Sequence, residues 1–225
     1  MSITFFIYNS PAFKKFLSEN PHENGEIKFL ETKLKKGMNV IDIGGYIGIS
    51  SIVIANSIGE TGKLYSFEPV TEHLNILNNN IYSNCLKNVK TYQKVVGDHV
   101  GAINFYKNDA SSSIIPEQGN YKFQANIITI DAFLKERGVD RIDFINMDCE
   151  GSELFVLKGA SKTLLNNKTK IFCEIHHSFL KSLGLSVQKL VEYLNELNFQ
   201  VHSLMLDDLA LGDDFEECDY IYAYN

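Results

Sequence analysis

A glycine-rich segment that directly follows an apolar run constrains this chain most. Residues 40–48 read Val-Ile-Asp-Ile-Gly-Gly-Tyr-Ile-Gly, and Tyr-Ser-Phe-Glu-Pro follows at 65–69. This order predicts a strand, a glycine turn, a helix and a second strand that ends on the carboxylate of Glu68. Such a βαβ unit is typical of a nucleoside site, because the glycines allow close approach of the backbone and the helix amides face the ligand.

The residues of the turn favour a cationic nucleoside over a dinucleotide. A phosphate-binding turn has the spacing Gly-x-Gly-x-x-Gly, but here Ile43 stands at the position of the first glycine and Asp42 precedes it. An acid at this point repels a pyrophosphate and suits a positively charged ligand. We therefore expect S-adenosylmethionine, whose sulfonium and amino groups are positive, with its ribose hydroxyls on Glu68.

Charge and cysteine usage disfavour several classes of partner. The 225 residues carry a formal net charge of −7, and no long run of Lys or Arg provides the surface that DNA or RNA binding needs. The four cysteines form no Cys-x-x-Cys pair, which favours free thiols in a reducing compartment. The apolar run at 1–8 is too short for a membrane span and lacks the basic start of a signal peptide. We expect a cytoplasmic protein without a nucleic-acid or membrane partner.

Strand-like and helix-like segments alternate along most of the chain. This alternation predicts a doubly wound α/β sheet with helices on both faces, and the apolar character of the strands predicts a mostly parallel sheet. The predicted strands lie at about 39–43, 63–67, 89–95, 142–147, 170–176, 199–205 and 218–224. The predicted helices lie near 48–57, 71–84, 130–137, 151–166 and 186–197.

Two segments stand outside this alternation. Residues 1–36 are predicted to form a helical extension ahead of a single domain at 37–225. Its aromatic residues either pack against the domain or close a lid over an acceptor; they are Phe5, Phe6, Tyr8, Phe13 and Phe16. Residues 97–128 are predicted to be an insertion, with an extra strand at 101–106 and a serine loop at 111–113.

Acids or histidines follow four neighbouring strand ends. In open α/β sheets the ligand lies outside the carboxyl ends of the strands, so these side chains are the candidate site. They are Asp42, Glu68, Asp148, Glu150, Glu174, His176 and His177. Two structural alternatives stay open: Asp148 as a helix N-cap, and Glu150 and Glu153 as first-turn acids favoured by the helix dipole.

The segment at 142–160, Ile-Asp-Phe-Ile-Asn-Met-Asp-Cys-Glu-Gly-Ser-Glu-Leu-Phe-Val-Leu-Lys-Gly-Ala, resembles the signature of FkbM-type methyltransferases. Further matching segments occur in the family's order at 42–48, 67–69, 128–134 and 174–176. The chain departs from the family where Gly45 and Tyr46 replace the commoner Ala-Asn, and where Asn146 replaces a frequent lysine. The resemblance implies a Rossmann-like class I methyltransferase fold with a seven-stranded sheet, S-adenosylmethionine, and O-methylation of a sugar, glycan or other small natural product.

These observations lead to a hypothesis for each site residue. Asp148 and His176 flank the methyl group, with His176 as the base because imidazole titrates near neutrality. His177 is the competing base, although alternation on a strand sends its side chain to the opposite face. The expected cofactor-binding residues are Asp42, Gly44, Gly45, Gly48, Glu68 and, at the adenine edge, Asp98. The expected substrate-binding residues are Ser112, Glu150, Glu174 and His177.

The partner expected from these residues is a small-molecule or glycan acceptor, and a homodimer remains open. No metal is predicted, because nothing in the residue spacing demands one. The open variant is Mg²⁺ held by Asp148, Glu174 and His176, where it would lower the pKa of the acceptor.

Two other classes of function also remain open. An NAD-linked oxidoreductase shares the βαβ turn and the ribose acid, but the missing first glycine and Asp42 disfavour it. A catalytically inactive module would keep the cofactor pocket without turnover, and Asn146 is the residue that raises this alternative.

Overall fold

The computed structural model describes residues 6–108, 111–116, 121–166, 168–205 and 210–225. The helices are α1 (Pro11–Glu19), α2 (Pro21–Lys33), α3 (Ile49–Ile58), α4 (Thr71–Ser83), α5 (Ile130–Arg137), α6 (Glu153–Gly159), α7 (Ser161–Asn166), α8 (His177–Ser182) and α9 (Val187–Glu196). The strands are β1 (Asn39–Ile43), β2 (Lys63–Phe67), β3 (Val89–Tyr92), β4 (Val95–Val96), β5 (Gly101–Lys107), β6 (Tyr121–Ile128), β7 (Phe144–Met147), β8 (Lys170–Glu174), β9 (Gln200–Leu204), β10 (Leu211–Gly212) and β11 (Tyr220–Tyr224).

The main sheet has the strand order β10-β9-β11-β8-β7-β1-β2-β3. The strands from β3 to β8 in this order pair in parallel, whereas β11 runs antiparallel between β8 and β9. The predicted α/β fold is confirmed, and seven of the strands correspond to the seven predicted. The short β10 adds an eighth strand at the edge, which the sequence analysis did not predict.

Side chains of the parallel strands alternate between two hydrophobic layers. Val40 and Phe144 face the layer that includes Phe29 of α2 and Ile54 of α3. The opposite layer includes Ile41 and residues of α5, α6, α7 and α9. Because successive strand residues point to opposite faces, the polar side chains at 42, 66 and 146 lie on the face of α2 and α3, in register across β1, β2 and β7.

Several predicted boundaries differ from the structure. The predicted strand at 89–95 is divided into β3, in the main sheet, and β4, in a separate sheet of order β4-β6-β5. The insertion contains β6, a strand that was not predicted and that pairs with β5 over residues 121–127. The predicted helix at 151–166 is two helices, α6 and α7. The fifth predicted strand ends at Glu174, because the chain turns there into α8.

The helical extension packs against α3 through aromatic side chains. Phe6 and Phe13 are 4% and 2% exposed and form one cluster with Ile27, Ile52 and Val53. Phe5, which the sequence analysis included with these aromatic residues, lies outside the described residues. The described aromatic residues of the extension therefore contribute to a core that α3 shares.

The four cysteines are free thiols, as predicted. Within the described ranges, no helix combines the length and the apolar character that crossing a membrane requires.

An asparagine of α4 and the asparagine that follows this helix fix the beginning of the extension. The buried Asn80 accepts the backbone N–H of Phe6 at 2.9 Å and donates to the carbonyl of Ile47 at 2.8 Å. Asn84 accepts the N–H of Tyr8 at 2.7 Å and donates to the carbonyl of Phe6. These side chains give the backbone around residue 6 the hydrogen-bond partners that a neighbouring strand would provide in a sheet.

We predict that Asn80→Ala lowers the free energy of unfolding by about 1–3 kcal/mol, because it leaves buried backbone groups without partners. The matched control is Asn79→Ala, at an exposed position of the same helix, which should change stability by less than about 0.5 kcal/mol. Urea unfolding measures both, and limited proteolysis should cut the extension faster in Asn80→Ala. Equal stabilities of the two variants would contradict the role of Asn80.

Candidate active site

A cleft of about 300 Å³ lies at the carboxyl ends of β1, β2, β7 and β8. This position agrees with the rule for open α/β sheets from which the site was predicted. The predicted site residues that line the cleft are Gly44, Gly45, Glu68, Ser112, Asp148, Glu150, Glu174 and His176.

The glycine turn brings the end of β1 against the end of β7. Gly44 has a φ of +85°, and a Cβ atom on it would lie 1.8 Å from the carbonyl oxygen of Asp148. The N–H groups of Gly44 and Gly45 both donate to the carbonyl of Phe67 at 3.0 Å. Gly48 caps α3 against Leu77 and is not part of the cleft lining. The position at 44 therefore accepts only glycine without displacing the end of β7.

Asp42 lies beneath the turn and not in the cleft. It is fully buried and accepts hydrogen bonds from Asn146 at 2.9 Å, Ser66 at 3.3 Å, Ser50 at 3.5 Å and Ser51. Burial raises the pKa of Asp42, and these hydrogen bonds oppose the increase. The structure therefore places Asp42 where it supports the turn, and does not bring it to the cleft surface as a direct contact for the methionyl group. Asn146 is part of the same network.

Glu68 lies at the end of β2 with both carboxylate oxygens engaged. It accepts the N–H of Tyr46 at 3.0 Å and the N–H of Val70 at 2.8 Å, and His73 Nδ1 lies 3.6 Å away. Tyr46 has a φ of +44°, and its ring meets the His73 ring edge-on at 4.6 Å between centroids. Each carboxylate oxygen has two lone pairs, so Glu68 retains acceptor capacity for two hydroxyl groups. His73 was not predicted from the sequence as a site residue, because no motif marks it.

Four carboxylates surround His176, and they belong to Asp148, Glu150, Glu153 and Glu174. We call these five residues the acidic cluster. His176 Nε2 lies 3.3 Å from Glu150, 3.5 Å from Asp148 and 3.7 Å from Glu174. Its Nδ1 lies 3.2 Å from Glu153 Oε1. The imidazole therefore contacts carboxylates through both ring nitrogens.

The cluster shifts the ionisation of its members. Burial raises the pKa of Asp148 to about 8, with a further contribution from the Glu174 carboxylate. Burial also raises the pKa of Glu150 to about 7, and raises that of Glu174. Burial alone would lower the pKa of His176, but its hydrogen bond to Glu153 and the charges of Asp148 and Glu150 raise it to about 10. The imidazole thus does not titrate near neutrality, which was the reason for choosing it as the base.

The backbone around the cluster excludes the capping alternative for Asp148. The N-cap of α6 is Ser152, and Glu153 begins the helix, so Asp148 does not cap it. Glu150 has a φ of +49°, which is uncommon for a residue other than glycine and occurs at functional sites where the surroundings hold it. The sharp turn directs Glu150 back towards His176.

Helix α2 adds residues to the cleft, and strand β11 adds a hydrogen bond to Glu174; neither was predicted from the sequence. His22 and Glu26 line the cleft, and His22 Nε2 lies 3.6 Å from Glu174. Tyr220 donates a hydrogen bond to Glu174 at 3.1 Å. Burial raises the pKa of Glu26, and the charges of Asp148 and Glu174 raise it further. The spacing of 22 and 26 places both on one helix face, but local sequence does not show that this face meets the sheet.

Besides Asp42 and Gly48, two further predicted residues are not brought to the cleft. Asp98 contacts His99 Nδ1 at 2.8 Å and is not among the lining residues. His177 begins α8, not a strand, and its Nε2 lies 3.0 Å from the carbonyl oxygen of Cys218. Ser112 lines the cleft, although its hydroxyl group already bonds both backbone groups of Asn108.

We predict that Gly44→Ala destabilises the chain by more than about 3 kcal/mol, the range in which packing clashes and backbone strain act together. Gly138→Ala is the matched control, since Gly138 has a φ of +61° with no heavy atom near the position of a Cβ. Gly138→Ala should lower the free energy of unfolding by only about 1–2 kcal/mol, the cost of placing a residue with a side chain in the left-handed conformation. Urea unfolding compares the variants, and similar losses in both would show that the contact with Asp148 is unimportant.

Comparisons with solved structures show similar folds. Methyltransferase FkbM from Methylobacillus flagellatus KT has a TM-score of 0.61 and 19% identity, over 85% of this chain and 44% of that chain. This chain therefore spans less than half the length of that protein. A candidate O-methyltransferase from Klebsiella pneumoniae has a TM-score of 0.55 and 15% identity, over 97% and 91%. A candidate methyltransferase from Streptococcus mutans, in complex with S-adenosylhomocysteine, has a TM-score of 0.54 and 13% identity, over 89% and 96%.

At these identities the structural similarity supports the fold, and the family follows from sequence. No curated protein sequence matches the chain significantly. The model of the methyltransferase FkbM domain, however, matches residues 42–201, which include the glycine turn, Glu68 and the whole acidic cluster. This match covers more than half of the chain and confirms the resemblance found in its motifs. The chain belongs to the FkbM methyltransferase family and has the class I methyltransferase fold.

Proposed function

We propose that this protein is an S-adenosylmethionine-dependent O-methyltransferase that acts on a hydroxyl group of a sugar, glycan or other small natural product. One observation carries the proposal: a single cleft joins the glycine turn and Glu68 to the acidic cluster. The first half fits a nucleoside, and the second half offers proton acceptors beside the place where a bound methyl group would lie. Membership of the FkbM family supports the same reaction class.

The cofactor half of the cleft fits S-adenosylmethionine by shape and charge. Glu68 would accept hydrogen bonds from both ribose hydroxyls, in addition to the backbone N–H groups that already orient it. Gly44 and Gly45 have no side chains that would keep the methionyl part from the backbone. The negative charge of the acidic cluster would attract the sulfonium and amino groups, because opposite charges interact strongly where water is largely excluded.

The reaction would transfer the methyl group in line from sulfur to oxygen. The new bond joins the acceptor oxygen to the methyl carbon, the sulfur–carbon bond breaks, and its electron pair converts the sulfonium into the thioether of S-adenosylhomocysteine. The hydroxyl proton passes to a carboxylate of the cluster, so that the acceptor oxygen carries no charge in the methylated product. Holding both substrates in this geometry is worth on the order of 7–11 kcal/mol.

The geometry favours Asp148 as the proton acceptor and His176 as its positioning partner. Asp148 lines the cleft beside the glycine turn. His176, charged through its contacts with Glu150 and Glu153, would orient Asp148 and favour its ionised form, which opposes the effect of burial on its pKa. The acceptor itself is expected to be neutral or cationic, because further acids from α2 line the same cleft and would repel an anion.

Cofactor binding provides the first test. We predict that S-adenosylhomocysteine binds to the purified protein and that Glu68→Gln weakens it at least about tenfold, because charge-assisted hydrogen bonds contribute about 1.5–3 kcal/mol. Glu72→Gln, at an exposed acid of α4 that pairs with Lys107, should bind normally. Isothermal titration measures both, with NAD as a ligand that should not bind. Binding of NAD in place of S-adenosylhomocysteine would favour the oxidoreductase alternative.

Turnover provides the second test. With methyl-labelled S-adenosylmethionine and a panel of sugars, glycosides and polyketide alcohols, we predict label transfer that Asp148→Asn lowers about 10²–10⁴-fold, the usual contribution of a general base. Asp140→Asn, at an exposed position, should retain full turnover. If cofactor binds in the wild type but label is never transferred, the chain is the inactive module.

A further inference from the structure

We propose that the acidic cluster is a binding site for one divalent cation of the Mn²⁺ type, held by Asp148, Glu174 and His176. One ligand atom from each residue lies within 4.8 Å of the other two. Divalent ions bind carboxylate oxygen and imidazole nitrogen at about 2.0–2.2 Å, so that ligands of one ion lie about 3.0–4.4 Å apart. The distances from His176 Nε2 to Asp148 and Glu174, 3.5 and 3.7 Å, fall within that interval.

The orientation of His176 is that of a metal ligand. Its Nδ1 faces Glu153 Oε1 at 3.2 Å, and Glu153 Oε1 in turn accepts the N–H of Gly151 at 2.9 Å. A ligating histidine commonly donates its second ring nitrogen to a carboxylate in this way, which fixes the tautomer and directs the other nitrogen at the ion. Here that other nitrogen, Nε2, points at Asp148, Glu150 and Glu174.

Glu153 supplies an independent observation. Its side chain is fully buried, and among the described residues its Oε2 has no hydrogen-bond partner while its Oε1 contacts His176. A buried carboxylate with an unpaired oxygen is costly unless positive charge lies close by. If His176 is neutral, as a metal ligand must be, an ion bound at its Nε2 would supply that charge to Glu153 across the ring.

The excess of negative charge around the site also favours the binding of a cation. The cluster sets four carboxylates against the imidazole of His176, with that of His22 3.6 Å from Glu174, and in the described part of the chain no lysine or arginine forms an ion pair with any of the four. A divalent ion would balance two of these charges at once. The mixed oxygen and nitrogen ligands suit a first-row ion such as Mn²⁺ better than Ca²⁺, which takes six to eight oxygens.

The site would serve the proposed methyl transfer, on which this part of the inference rests. Asp148 lies in contact with the glycine turn, so an ion bound there would be adjacent to the methyl group of the cofactor. With the ion bound, His176 would be a neutral ligand and Asp148 a ligand instead of the free base. The ion would bind the acceptor oxygen and lower the pKa of its hydroxyl group, whose proton would pass to Glu150, the carboxylate beside His176 that is not a ligand. The ion would be expected to leave the ribose contacts of Glu68 unchanged.

Mn²⁺ binding to the full chain tests the site without any need for an acceptor. The protein is stripped with EDTA, exchanged into clean buffer and titrated with MnCl₂, and the electron paramagnetic resonance signal of free Mn²⁺ is measured. We expect one ion per chain. Glu174→Gln and Glu153→Gln should each weaken binding at least about tenfold, since even the carboxylate behind a ligand typically contributes 10–100-fold. Glu196→Gln, at an exposed acid of α9, should have no effect.

The outcomes separate this inference from the proposed function. Circular dichroism confirms that each variant is folded, and S-adenosylhomocysteine is titrated into the same metal-free protein. If S-adenosylhomocysteine binds but Mn²⁺ does not bind stoichiometrically, the cation site is overturned and the methyltransferase proposal stands. Equal Mn²⁺ affinity of Glu174→Gln and Glu196→Gln would also overturn it. If Mn²⁺ binds as expected and S-adenosylhomocysteine does not, the site stands and the proposed function fails.

Discussion

The close contact between Gly44 and the carbonyl of Asp148 joins the two halves of the site. Its geometry follows from the sheet, because the N–H of Asp148 extends the pairing of β1 with β7 by donating to Ile43 at 2.9 Å. Only a residue without a side chain allows the turn after β1 to lie against this carbonyl. The nucleoside-binding turn and the acidic cluster therefore occupy one cleft because two neighbouring parallel strands end at the same level.

The second constraint is the negative charge concentrated in and beneath the cleft, and the fold stabilises it in two ways. Asp42 is stabilised by hydrogen bonds from three serines and Asn146, which satisfy a carboxylate without any positive charge. The acidic cluster has fewer neutral donors, so its charge is balanced by the imidazolium of His176 and by the raised pKa values of Asp148 and Glu150. A site that is short of positive charge is suited to bind a sulfonium, and it is also suited to bind a cation.

The sequence allowed prediction of the strand ends but not of what surrounds each side chain. The strand ends before Glu68 and Asp148 were predicted correctly, because apolar runs followed by polar residues locate the ends of buried strands. Asp42 was assigned to the cleft although alternation on β1 turns it towards serines of α3 and β2, which only the packed structure brings together. His177 was treated as a strand residue because the last apolar residue of that run, Ile175, lies beyond the end of β8.

The parts of the cleft differ in their relation to the family. The matched domain begins at residue 42, so it contains the turn, Glu68 and the acidic cluster, whereas α2 lies before it. Yet α2 contributes His22, Glu23 and Glu26 to the lining, and His22 Nε2 lies 3.6 Å from Glu174 of the cluster. An element that precedes the matched residues thus lines the cleft beside the acidic cluster. On the proposed function, the residues that match the family model would bind the cofactor and carry out the transfer, and we propose that α2 contributes to the selection of the acceptor.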